Sequence, residues 1–451
     1  MPTTTPATPA GDHAPAGAPA APASGTAAAA LSPSAGSPAV PSPSAGSLAS
    51  SFDRVIDRRG TGSLKWDFAG RCRRPADALP LWVADMDHAT APAVVEALRA
   101  RAAHGIFGYT EPDEAYASAL VSWFSRRYHW QVDPAWNTIT PGVVPALALA
   151  VRAYTAPGEA VIIEEPVYYP FREVVEDNGR IVAAAPLVRD AAGVYRRDLA
   201  ALEGVIAATG ARLLILCNPH NPVGRVWTRA ELEALAEVTG RHGVRVVADE
   251  IHADLTRPGV CTTLFASLSP EVAARTITCT SPSKSFNLAG LQTANILIAD
   301  RELRTAFRRE VGAVGYAQAN ALGLVACQAA YEEGEEWLDA LREHVAAAHA
   351  HLTGRLESIP GIGVSPWEGT YLLWLDCHGL LKDSGLDPRS LDDFLLTKAG
   401  LWLDDGLIFG AGGQGFTRIN VACPRAALDE ALDRLQAAVA ELLASRGSAA
   451  R

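Results

Sequence analysis

From Thr140 onward, short runs of aliphatic and β-branched residues alternate with longer stretches whose apolar positions recur at helical spacing. The runs are Ala160 to Glu164, Arg212 to Cys217, Val244 to Ala248, Thr276 to Thr280 and Ala294 to Ala299. The alternation predicts a largely parallel sheet covered by helices on both faces. Upstream, Leu81 to Asp87 is a short apolar segment ending in acids. A helix is predicted from Pro92 to Ala103, stopping before Gly105, and an amphipathic helix runs through Trp123 to Tyr128. Past Arg301 the pattern changes. Long helical stretches (Arg301 to Val314, then Gly323 to Arg355 with an interruption) precede apolar pieces at Tyr371 to Leu375 and Phe416 to Val421. A last amphipathic helix covers Ala426 to Ala444. The expected fold class is therefore α/β, a large, mostly parallel sheet domain covered by helices, with a smaller α+β domain. No internal repeat and no apolar run of transmembrane length is visible.

Composition adds a boundary at the start. Residues 1–50 are almost entirely Ala, Pro, Ser, Gly and Thr, with Asp12 the one charged residue. Such a stretch buries too little apolar surface to offset its ordering entropy and reads as a disordered tail. It has neither a basic start nor an apolar core of signal-peptide length, so a cytoplasmic protein is expected. The partition that follows is a tail over 1–50, an N-terminal segment over 51–100 joining the smaller domain, the large domain over 101–320 and the smaller domain over 321–451. With 49% hydrophobic residues in 451, a large core can form. The formal net charge of −11 and the lack of a basic cluster argue against nucleic acid or an anionic membrane as partner. Seven cysteines without CxxC spacing read as free thiols in a reducing compartment, with no disulfide and no metal site.

Candidate chemistry lies where the apolar runs end. Ser281-Pro-Ser-Lys284 leaves the run Thr276 to Thr280, which carries Lys284 to the sheet's edge. A desolvated amine there is a nucleophile suited to an aldehyde; an exposed loop lysine is the plain alternative. Thr140-Pro-Gly142-Val143-Val144 opens a helix whose free N–H groups suit a phosphate, or is simply a turn. Tyr168, after the run ending at Glu164, could stack on a flat heteroaromatic ring or only pack. In Asn218-Pro-His-Asn221-Pro-Val-Gly224, two Asn-Pro pairs hold amides rigidly at a strand end, more than a plain turn requires. Asp249 could keep a ring nitrogen protonated or cap a helix. Arg418, a charge within an apolar strand, could grip a substrate carboxylate or form an internal ion pair.

In this order the strings resemble fold type I pyridoxal-phosphate enzymes, the aspartate aminotransferase superfamily, from about Phe52 to the C-terminus. Within it the chain is most similar to the MalY/PatB group of cystathionine β-lyases and related carbon–sulfur lyases. The strings that carry this are Trp82 to Asp87, Gly108-Tyr-Thr110, Pro166 to Phe171, Cys217 to Trp227, Asp249 to His252, Ser281 to Gln292 and Glu368 to Leu375. His88 stands where an aromatic residue is usual.

The resemblance implies pyridoxal 5′-phosphate bound covalently at Lys284, which would also move the substrate's Cα proton. It implies Asp249 on the ring nitrogen, Tyr168 stacked on the ring, Asn221 and His252 near its phenolic oxygen, and Val143, Val144 and Ser281 at the phosphate. Arg418 would bind the carboxylate of a small amino-acid thioether. Tyr109 would reach the cofactor of a second subunit, making a homodimer with active sites at its interface. The implied reaction is α,β-elimination from an L-cysteine S-conjugate to a thiol, pyruvate and ammonia. Transamination, a decarboxylating or oxidative variant, and a regulatory partner-binding role on the same scaffold are the alternatives.

Overall fold

Residues 45–449 are described in the computed structural model. The expectation of a disordered tail falls on residues outside these, except at its end. There Ala45–Phe52 forms helix α1, with Leu48 and Phe52 buried in the core. The ordered chain thus starts earlier than the composition suggests, because two large apolar side chains suffice to anchor two helical turns.

Pro92–His104 is α2, ended by Gly105 in the left-handed region (φ 75°), and Glu114–Tyr128 is α3, capped by Asp113. The large sheet then begins with β1 (Asn137–Thr140), which leads into α4 (Val143–Tyr154). It continues with β2 (Ala160–Ile163), β3 (Ile181–Ala184), α5 (Leu199–Thr209), β4 (Leu213–Cys217), α6 (Arg229–Arg241) and β5 (Arg245–Asp249). Next come β6 (Thr276–Thr280), the single turn α7 (Pro282–Ser285) and β7 (Ala294–Leu297). The strand order is β1-β7-β6-β5-β4-β2-β3, parallel throughout from β6 to β3, with β7 antiparallel to both its neighbours.

The apolar runs are continuous because both faces are covered. Val161, Ile163, Leu213, Ile215 and Val247 pack with Leu147 of α4 and with Phe307 of the following helix, α8 (Arg301–Ala313). Ile162, Leu214, Leu216 and Val246 pack on the other side with Leu202 of α5 and Leu232 of α6.

Beyond α8 run α9 (Ala321–Glu333) and α10 (Glu335–Leu356), broken at Gly334 as expected. The smaller sheet has the order β8-β9-β11-β10, formed by Gly363–Val364, Leu372–Asp376, Phe416–Asn420 and Asp404–Asp405 and antiparallel at every step. The helix α11 (Arg425–Ala449) follows it. Leu79 and Pro80 pair in parallel with Leu401 and Trp402, tying the N-terminal segment to this part of the chain.

Candidate active site

The carboxyl ends of β2, β4, β5 and β6 and the first turn of α4 open on one cavity of about 170 Å³. This is the edge at which doubly wound sheets place their sites. Val143, Val144, Tyr168 and Asn221 line it. So do Asp249, His252, Ser281 and Lys284, from segments spread over about a third of the described chain.

Lys284 sits on α7, whose start is fixed by Ser281: its hydroxyl accepts the Ser283 N–H (3.1 Å) and donates to the Thr293 carbonyl (2.6 Å). The Lys284 amine donates to the carbonyl of Ala84 at 2.6 Å, and the Tyr371 hydroxyl donates to the same oxygen at 3.0 Å. Burial, and next the nearby Arg418 cation, lower the ammonium's pKa to about 8; Asp85 and Asp249 pull the other way. Its amine is enclosed in the cavity wall, unlike the exposed loop lysine of the alternative.

Asp249 closes β5, level with Cys217 and Cys279 on the adjoining strands. Its carboxylate accepts the Ile251 N–H at 3.1 Å, and no helix follows, so the helix-cap alternative falls. Burial raises its pKa to about 7, against the pull of that N–H and of Lys284. His252 is buried and held neutral first by desolvation and then by Lys284 and Arg418. Its Nδ1 has no hydrogen-bond partner among the described residues. Tyr168 joins the two neighbouring loops, its backbone N–H donating to the Asn221 carbonyl at 3.1 Å.

At the mouth of α4, Gly142 has an extended backbone (φ 160°), and an added Cβ would touch only Pro145 Cδ at 3.5 Å. Packing therefore gives no reason for the glycine. The cavity beside it does, since a side chain there would stand over the free N–H groups of the helix start.

Arg418, on β11, takes up the internal ion pair of the two arrangements left open by its sequence, and it lies behind the cavity wall rather than lining it. It forms a buried ion pair with Asp404 on β10, and its Nη1 donates to Asn221 Oδ1 at 2.9 Å. Tyr109 lies apart from the cavity, on a loop where it is 92% exposed. His88 is also outside the cavity. It packs edge-on to Phe52 and His344 (ring centroids 5.3 and 5.0 Å), and burial lowers its pKa to about 3.

The profile of the aminotransferase class I and II family matches residues 76–435. The chain belongs to this family. It is 42% identical to cystathionine beta-lyase PatB of Bacillus subtilis over 393 residues, which cover 86% of this chain and all of PatB. Protein MalY of Escherichia coli is 34% identical over 385 residues, 84% of this chain and 96% of MalY. Among solved structures, cystalysin of Treponema denticola, which contains a pyridoxal 5′-phosphate cofactor, superposes with a TM-score of 0.82 at 36% identity. The match covers 87% of this chain and 99% of cystalysin.

Several residues of this family member's site had not been singled out from the sequence. The loop 81–87 drapes across the cavity and contributes Ala84. Asn420 holds it by donating to the carbonyls of Val83 (2.8 Å) and Asp85 (2.7 Å), and Asn287 by donating to that of Met86 (3.0 Å). Arg58 grips Asp85 (2.7 Å) and Asp87 (2.8 Å), while the fully buried Lys65 pairs with Asp87 at 2.6 Å. Gln292 and Thr293 complete the wall near α7. Asp404 had a legible signal: like Arg418, it is a charge set in an apolar run, Leu401-Trp402-Leu403-Asp404.

Proposed function

We propose that this family member is a pyridoxal-phosphate-dependent carbon–sulfur β-lyase that cleaves an L-cysteine S-conjugate to a thiol, pyruvate and ammonia. The observation that carries the reading is the convergence of a lysine amine of lowered pKa and a buried aspartate on one cavity at the sheet's carboxyl edge, with an arginine bonded to Asn221 in its wall. The names of PatB and cystalysin support the chemistry and the cofactor.

The residues fit pyridoxal phosphate on three counts. Val143 and Val144 offer helix-start N–H groups beside a glycine whose absent side chain leaves the space open. Asp249 is a buried carboxyl short of positive charge, so a protonated ring nitrogen beside it would restore its ionised form. His252 has an unsatisfied ring nitrogen in the cavity wall, able to contact a phenolic oxygen together with Asn221. Ser281 contributes less directly, because its hydroxyl proton already goes to Thr293. Bound there, the cofactor would supply the electron sink that makes the Cα–H bond acidic and lets a β-substituent leave.

The chain's own part is to hold and move protons and to orient the substrate. Lys284, with its pKa near neutrality, can be the covalent attachment point and then carry the Cα proton, with the Ala84 carbonyl as the resting partner of its amine. Arg418, anchored by Asn221 at the cavity wall, would bind the substrate carboxylate.

The proposal includes a cytoplasmic homodimer in which Tyr109 completes the partner's site. Its support is an exposed apolar strip of Ile106 (66%), Phe107 (59%) and Tyr109 (92%), which a second copy would cover. It also takes residues 101–320 as the cofactor-binding domain and joins 51–100 to 321–451, as the pairing of Leu79–Pro80 with Leu401–Trp402 suggests.

The test is the absorbance of the purified protein followed by addition of an L-cysteine thioether. A band near roughly 420 nm, with thiol and pyruvate released, is the expected result. The same band with keto acid formed only in the presence of an amino acceptor would replace elimination by transamination.

A further inference from the structure

The place where a substrate carboxylate would bind already contains a carboxylate. Arg418 Nη2 pairs with Asp404, and the two side chains are 2% and 8% exposed. Nη2 also donates to the Trp82 carbonyl (2.9 Å), and Nη1 to Asn221 Oδ1 (2.9 Å). Only Nε, also buried, has no partner among the described residues. The pairing is built into the smaller sheet, because Asp404 and Arg418 are direct neighbours across β10 and β11. The guanidinium is therefore neutralised before any substrate arrives. A second carboxylate entering would leave two negative charges around one positive charge in a site shielded from water, and one of them must lose its charge or its place.

We propose that Asp404 is a positioning and specificity-determining residue that competes for Arg418, so that capture of a substrate carboxylate draws one proton from solvent onto Asp404. The inference rests on the reading above only in taking Arg418 as the carboxylate site. The proton goes to an Asp404 carboxylate oxygen, which turns the competitor into a neutral neighbour that can still accept from Arg418. The surrounding groups permit this. Burial already holds the Asp404 carboxyl above the usual carboxylate range, against the pull of Arg418. Asp392 pushes it in the same direction as burial, while Arg74, itself bound to Asp392 at 2.8 Å, pulls it down. The phenols of Tyr168 and Tyr169 face it from the large domain's loop and stay neutral at ordinary pH, since burial raises both.

The probe is 3-(methylthio)propionate, the desamino analogue of S-methylcysteine, which carries the carboxylate and cannot react. Its binding to the holoenzyme is measured calorimetrically in two buffers of different ionisation enthalpy, from pH 7 to pH 9. The wild type is expected to take up about one proton per ligand, with affinity falling about tenfold per pH unit. Asp404→Asn keeps an acceptor on Arg418 without the charge. It should bind with almost no proton uptake, with a flat pH dependence, and about tenfold or more tighter at pH 9.

Binding by the wild type without proton uptake, an unchanged pH slope in Asp404→Asn, or no binding at all would each overturn the proposal. If the variant does not fold, the wild-type uptake is measured together with the absorbance of the cofactor band, which reports protonation at the Lys284 nitrogen: uptake with the band unchanged supports Asp404, and uptake matched by a change in the band overturns the proposal. The pyruvate assay is independent: proton-linked binding without thiol release keeps the role of Asp404 and removes the lyase reading.

Discussion

If Lys284 is the attachment point proposed above, its protonation state sets how fast the apo-protein captures its cofactor. The perturbation is pH. An ordinary lysine of pKa 10.5 has roughly one amine in three thousand neutral at pH 7, whereas one lowered to about 8 has about one in ten. The neutral nucleophile is thus enriched about 300-fold, chiefly by burial and secondarily by Arg418. The attachment rate should climb about tenfold per pH unit below pH 8 and level off above it. The assay is stopped-flow absorbance at the cofactor band, each rate divided by that of n-butylamine at the same pH to cancel the cofactor's own titration. Asp85 raises the ammonium's pKa, so Asp85→Asn should move the break to lower pH. A normalised rate that stays flat up to pH 10, as for an amine titrating like butylamine, would refute the reasoning.

Three further outcomes follow from buried groups. Glu250 is fully buried beside Asp249, and burial raises its pKa to about 8, against hydrogen bonds from Phe265 N–H (2.8 Å) and Asn218 Nδ2 (3.1 Å). The native state then holds a proton that the unfolded chain releases above about pH 4.5, so this group's contribution to stability declines as pH rises from 4.5 to 8. Glu250→Gln should gain on the wild type over that window, by at most about 5 kcal/mol, in urea unfolding at pH 5 and pH 9. Gly142→Leu should weaken cofactor retention about tenfold or more in equilibrium dialysis. The apo-protein's melting temperature should move by no more than about 2 °C, since the backbone there is extended and the new Cβ meets only Pro145. Lys65→Met strands part of the buried charge of Asp87, which keeps Arg58 and Trp66, and should cost about 3 kcal/mol by denaturant unfolding.

The strands β2, β4, β5 and β6 were legible because each is a short aliphatic or β-branched run, and nearly every residue in them is buried because both faces are covered. The two edge strands were not. Asn137–Thr140 has one aliphatic residue among polar ones, and Ile181–Ala184, though apolar, is a short edge strand that buries only its third residue and leads straight into Ala185-Pro186, so neither stood out as a core strand. Lys284 and Asp249 could be read from their places at strand ends, because a parallel sheet brings all its carboxyl ends to one edge whatever lies between them in sequence. The Ala84 carbonyl could not, since it is a backbone atom 200 residues from the amine it holds, and no side chain announces it.

Arg418 shows how an undecided reading arises. A buried guanidinium demands a carboxylate, yet the sequence around it does not say whose. The register of β10 against β11 answers with Asp404, while Asn221 links the same guanidinium to the cavity wall. The two readings need not exclude each other. On the proposal above, a carboxylate from the chain and one from the substrate would share a single cation, and the proton balance between them would let a site closed by its own ion pair open to a ligand.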